Sequence, residues 1–148
     1  MSKLSFDNGA TAPFSQACQN FERACARHIE FIEHGFTGDH VHYWNESYRL
    51  ETAYSAAQAE MLATPAQSVS DIAYKLNLSI GEADEIGEDS QTLALLRRGL
   101  MALQSGSVTT AQILVDKALD GETYYEFVYE GAVSALADLK RISAERQS

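Results

Sequence analysis

Four histidines fall within one short stretch, His28, His34, His40 and His42, and clustered imidazoles raise the question of a bound metal. His40 and His42 would point the same way on a strand but diverge on a helix, where residues two apart do not share a face. His34 and His40 could meet across a turn, with Asp39 or Glu33 beside them, and Cys25 and His28 stand three apart. Metal centres draw on pairs of ligands at fixed spacing, and no such pair of motifs is present. A histidine in an apolar seam is more often packed and hydrogen-bonded than metal-bound. A metal protein or enzyme using His34, His40 and His42 therefore stands as an alternative to a protein without cofactor.

Other chemistries leave no trace. No Gly-x-Ser-x-Gly elbow occurs, and neither cysteine sits in a reactive motif. Phosphate-cradling glycine patterns are absent. The closest approach to the Glu-x-x-His signature of di-iron bundles is Glu30-Phe31-Ile32-Glu33-His34, where the spacing fails and no second copy exists. The expectation is a non-enzymatic protein with no catalytic residues.

Charge narrows the choice of partner. The chain of 148 residues carries 11 Lys/Arg against 21 Asp/Glu, a net charge of −10. The excess is spread along its length, which disfavours direct binding to phosphate backbones. It would favour a basic protein surface. The densest acidic run, Glu82, Asp84, Glu85, Glu88 and Asp89, is bounded by Gly81 and Gly87 and reads as a solvated loop. An acidic, nucleic-acid-mimicking inhibitor of a basic host protein is a second alternative, with these five residues as its surface.

The elements that would position such groups are helices. Phe14, Cys18, Phe21, Cys25, His28 and Ile32 recur at 4-3-4-3-4 spacing after Pro13, the seam of a helix ending near Gly35. Asp39 can cap a second helix reaching Ala63, with stripes Tyr43–Leu50–Tyr54–Ala57–Met61 and Val41–Trp44–Tyr48. Pro65 stops it, since the residue before proline leaves the α region. Ser68 can cap a third helix over 69–80, and the second and third are expected to fold back as a hairpin on which the rest packs. Stripes at Leu93–Leu103 and Thr110–Leu119 predict a fourth and a fifth helix. A sixth, from about Glu122 to Ala144, carries Tyr125, Tyr129, Ala132, Leu136 and Leu139. Residues 1–11 read as a loose leader and 145–148 as a frayed tail.

Length and composition predict one all-α domain over 1–148, a helical bundle of five or six helices. No apolar run approaches a membrane span, no signal peptide is visible, and Cys18 and Cys25 are too far apart on one helix to pair. A cytoplasmic protein with reduced thiols is expected.

Ser68 to Ser79 also looks like the first helix and turn of a helix-turn-helix, but the segment that should enter the groove, Ile80-Gly81-Glu82-Ala83-Asp84-Glu85-Ile86, is acidic where a polyanion would lie. The same region carries a different likeness. Leu62-Ala63-Thr64-Pro65-Ala66-Gln67-Ser68, Asp71-Ile72-Ala73, Lys75-Leu76 and Leu95-Leu96-Arg97-Arg98 resemble a pattern in short, uncharacterised helical proteins of bacterial and prophage genomes. It covers roughly residues 45–103, and residues 1–40 and the helices after Ser107 are additional. The resemblance implies a helical protein of a mobile element and brings no functional residues with it.

With no catalytic signature, protein–protein interaction or self-association is the expected mode of action. Tyrosine and tryptophan suit surfaces that must be both apolar and wettable. Trp44, Tyr48, Tyr124 and Tyr125 are the expected contact residues.

Overall fold

A computed structural model describes residues 12–34, 38–87, 91–120 and 126–147. Tyr124, Tyr125, Glu88, Asp89 and the leader 1–11 lie outside them. The fold is all-α, with six α-helices and no strand among the described residues. The helices are α1 (Ala12–His34), α2 (His40–Ala63), α3 (Val69–Glu85), α4 (Gln91–Gln104), α5 (Val108–Leu119) and α6 (Glu130–Gln147), with a 3-10 turn at Glu126–Tyr129 before α6. None is long and apolar enough to cross a membrane. They form two compact units, and the Thr64–Pro65 break expected to be the elbow of a hairpin is the boundary between them.

Residues 12–64 are an antiparallel pair of helices. Phe21 and His28 of α1 meet Tyr54 of α2, and Phe31 meets Tyr43, with ring centroids 5.1–5.9 Å apart. The seam expected on α1 is buried at Phe14, Cys18 and Phe21 but not at its end, where Ile32 is exposed and Phe31 takes the inward place. A seam of strict heptad spacing drifts by about 20° per heptad around a straight α-helix. α2 starts where Asp39 accepts from the His42 amide at 2.9 Å. It stops at Thr64, which is extended.

Residues 65–148 hold a closed ring of four helices. α3 packs on α4, α4 on α5, α5 on α6, and α6 returns to α3. The core is aliphatic: Ile72, Leu76, Leu96, Leu103, Val115 and Leu139 are fully buried. On α4 the inward residues include Leu95 and Gly99, whereas Leu100 of the expected stripe is only half-buried. The missing side chain at Gly99 lets α5 approach, since a Cβ there would lie 2.9 Å from Val115 Cγ2.

Three boundaries differ from the sequence reading. α3 continues to Glu85 instead of ending near Ile80, so Glu82, Asp84 and Glu85 lie on a helix and not in a loop. Gly81 costs a helix about 1 kcal/mol, and the full burial of Ala83 two residues further on offsets it. The same continuity removes the turn that a helix-turn-helix requires. α6 begins at Glu130, after the 3-10 turn, instead of near residue 122, and it runs to Gln147 through the expected frayed tail. An Arg141–Glu145 pair at 3.4 Å, one helical turn apart, supports that end.

Candidate functional site

α1 and α2 present a row of large apolar side chains to solvent at the end of the pair where they connect. Val41, Trp44 and Tyr48 recur at i, i+3 and i+7 and so share one stripe of α2. Trp44 is 58% exposed and Tyr48 73%. Ile29 and Ile32, three apart on α1, are also exposed. The inward stripe, Tyr43, Leu50, Tyr54 and Met61, meets α1 or is buried, so α2 has a used face and an unused one. Trp44 is held in place: its indole Nε1 donates to His40 Nε2 at 3.0 Å, and its ring meets His40 and Tyr43 edge-on. A fixed, amphipathic ring loses little freedom on being covered.

The histidines do not gather. His42 Nδ1 lies 2.9 Å from Asp39 Oδ2, His40 faces Trp44, and His28 is half-buried against Tyr54. Diverging from one helical turn, His40 and His42 serve different neighbours, and His34 joins neither. No group of three or more His, Cys, Asp or Glu is arranged for a metal among the described residues. Asp39 is held below its ordinary carboxylate range, first by the His42 backbone amide and then by the His42 ring.

The acidic residues of α3 do not make one face either. Glu82 and Glu85, three apart, share one side of the helix, but Asp84 turns away from them and accepts from Arg97 at 3.1 Å. Arg97 thus carries a carboxylate partner of its own unit.

A polar cluster that the sequence reading missed lies between α3 and α6. Lys75 Nζ donates to Asp138 Oδ2 at 2.6 Å, with the lysine side chain 1% exposed. The other oxygen of Asp138 accepts the Ala66 amide at 3.2 Å. Arg141 donates to the Ala66 carbonyl and reaches Asp138 at 3.4 Å. Beside them Ser68 caps α3 by accepting from the Asp71 amide, and the Asp71 carboxylate accepts from the Gln67 amide. Ser79 Oγ accepts from the Ala132 amide at 2.8 Å. Gly131 makes this contact possible, because a Cβ would fall 2.4 Å from the Lys75 carbonyl oxygen. Asp71, Lys75 and Ser79 recur every four residues, a polar stripe that was the available signal. The partner on α6 is 63 residues away, beyond the reach of local periodicity. Enclosed and mutually satisfied, this cluster holds two helices together and offers no surface to a ligand.

Compared with protein-family models, curated proteins and solved structures, the chain finds no match.

Proposed function

We propose that the protein acts without catalysis, by binding another protein or a second copy of itself through the outer stripe of α2. The observation that carries this reading is the exposure of Val41, Trp44 and Tyr48 on one stripe. Covering an exposed aromatic of this size removes on the order of 150–250 Å² from water, and such rings dominate the energetics of interfaces. Ile29 and Ile32 would extend the contact. The resemblance of residues 45–103 to short prophage proteins supports a place among the proteins of mobile elements. The cytosol is the compartment this reading assumes, with Cys18 and Cys25 as reduced thiols.

The test is capture from native lysate, alongside size measurement of the isolated full-length chain, for the wild type and for Trp44→Ala with Tyr48→Ala. The expected result is a partner, or a dimer, that survives moderate salt and disappears in the double variant. A complex unchanged by the double substitution would move the contact elsewhere. A complex that dissolves with added salt alone would point to the acidic surface instead.

A further inference from the structure

Residues 12–64 contain three basic side chains, Arg23, Arg27 and Arg49, against seven Asp/Glu. All three line one cleft along the seam between α1 and α2, of about 130 Å³, together with Asn20 and Leu50. A second, shallower hollow lined by Phe31 adjoins it and shares Arg27, Arg49 and Leu50. Residues bearing a charge rare in their unit would repel one another if gathered without cause.

Their partners are unequal. Arg49 donates twice to Glu46, which raises the guanidinium pKa and lowers that of the carboxylate. Arg23 and Arg27, one helical turn apart, have no carboxylate partner among the described residues, although Glu30 and Glu46 line the adjoining hollow. Two guanidinium forks thus line a hollow with Leu50, the Asn20 amide lies beside them, and an aromatic ring, Phe31, lines the adjoining hollow. This cleft shares no residue with the apolar stripe of α2.

We propose that this cleft binds a small phosphomonoester carrying an apolar or aromatic group. A carboxylate has two oxygens in one plane and matches a single guanidinium fork. A phosphate has three terminal oxygens, enough to accept from Arg23, Arg27 and Asn20 together. Arginine suits this task because its fork is planar, permanently charged and weakly hydrated. Leu50 and Phe31 supply apolar surface for the organic group, and Arg49, held by Glu46, forms the opposite wall.

The probe is phenyl phosphate, titrated calorimetrically into the full-length protein, with inorganic phosphate and benzoate as parallel arms. Expected is saturable one-site binding of phenyl phosphate, weaker binding of inorganic phosphate and weaker still of benzoate. Arg23→Ala and Arg27→Ala should each weaken it about tenfold, the scale of a charge-assisted hydrogen bond, and Arg27→Lys should recover part of the loss. Both arginines are exposed, so far-UV circular dichroism should show both alanine variants folded. Absence of saturable binding would overturn the proposal, as would equal affinity in the Arg23→Ala plus Arg27→Ala double variant. Benzoate binding as tightly as phenyl phosphate would overturn the phosphate assignment.

Discussion

In residues 65–148, Lys75 and Asp138 meet at 2.6 Å almost out of reach of water, whereas in residues 12–64 the ion pairs Asp39–His42 and Glu46–Arg49 join residues three apart along α2 and its cap, all but the half-buried Glu46 mostly in solvent. The first kind links α3 to α6 and closes the ring of four helices. The second kind links a helix only to itself. Apolar side chains follow the same division. The ring exposes Ile86 at the end of α3, Met101 on α4, Ile113 on α5 and Val133 on α6, one to each helix, whereas the helix pair leaves Ile29, Ile32, Val41, Trp44 and Tyr48 outside near one end. Two antiparallel helices have too few neighbours to bury more than one face of each. What remains uncovered is the surface on which the proposed function rests, whereas the larger unit carries the buried polar cluster.

The largest expected effect lies in the buried pair. Asp138→Ala leaves Lys75 charged and enclosed with its carboxylate removed, and should lower stability by about 3–5 kcal/mol. The loss should appear as a shifted urea midpoint at unchanged slope. Lys75→Met with Asp138→Leu removes both charges and should recover most of that loss. If Asp138→Ala costs less than about 1 kcal/mol, the pair is no better than a surface bridge and the contrast between the two units collapses.

Glycines sharpen the comparison within the ring. Gly131→Ala forces a methyl against the Lys75 carbonyl and Ser79 Oγ and should cost about 1–3 kcal/mol. Gly81→Ala, also helical, meets nothing within 4 Å and should stabilise by about 0.5–1 kcal/mol. Equal and favourable effects at both positions in thermal unfolding would mean that α3 and α6 are not closely apposed.

Trp44→Ala and Tyr48→Ala, which abolish binding under the proposed function, should each change stability by no more than about 0.5 kcal/mol, the usual range for surface substitutions. A larger loss in urea unfolding would make these rings part of a core instead of an unused face. The smallest effect is electrostatic. The folded-state pKa of Asp39 lies below its ordinary 3.8, so its contribution is present above that value and is lost as pH falls through the depressed one. Acidification should lower the hydrogen-exchange protection factors of the first turn of α2, after correction for the slower intrinsic exchange at low pH, with no matching change in α3, whose cap is the Ser68 hydroxyl and does not titrate. An equal loss of protection at both starts would remove Asp39 as the cause.

Much of this fold could be read from spacing. The 3.6-residue recurrences located the helices, and Asp39 and Ser68 cap the helices they were expected to cap. Charged residues were not legible where burial overrides their type. Lys75 looks like a solvent-facing residue beside an apolar stripe, and only the packing of α6 shows that it is enclosed. Gly81 looks like punctuation, yet Ala83 has a place in the core that carries the helix past it. On the candidate surface, the Val41–Trp44–Tyr48 stripe was visible in the sequence, but whether a second stripe on one helix meets solvent or a neighbour depends on how many helices surround it. The arginine cleft was harder still, because Arg23 and Arg27 adjoin Arg49 only once α1 and α2 are antiparallel.

The two bonds at Ala66 have a mechanical consequence. Its amide is held by Asp138 and its carbonyl by Arg141, so both polar groups of the second residue of the ring are tied to its last helix. A pull along the backbone from Thr64 reaches this double tether before it reaches the first turn of α3. The load is then shared between α3 and α6, and neither peels away alone. Tension on the chain would be resisted by the whole ring at once, and the ring would yield as one body.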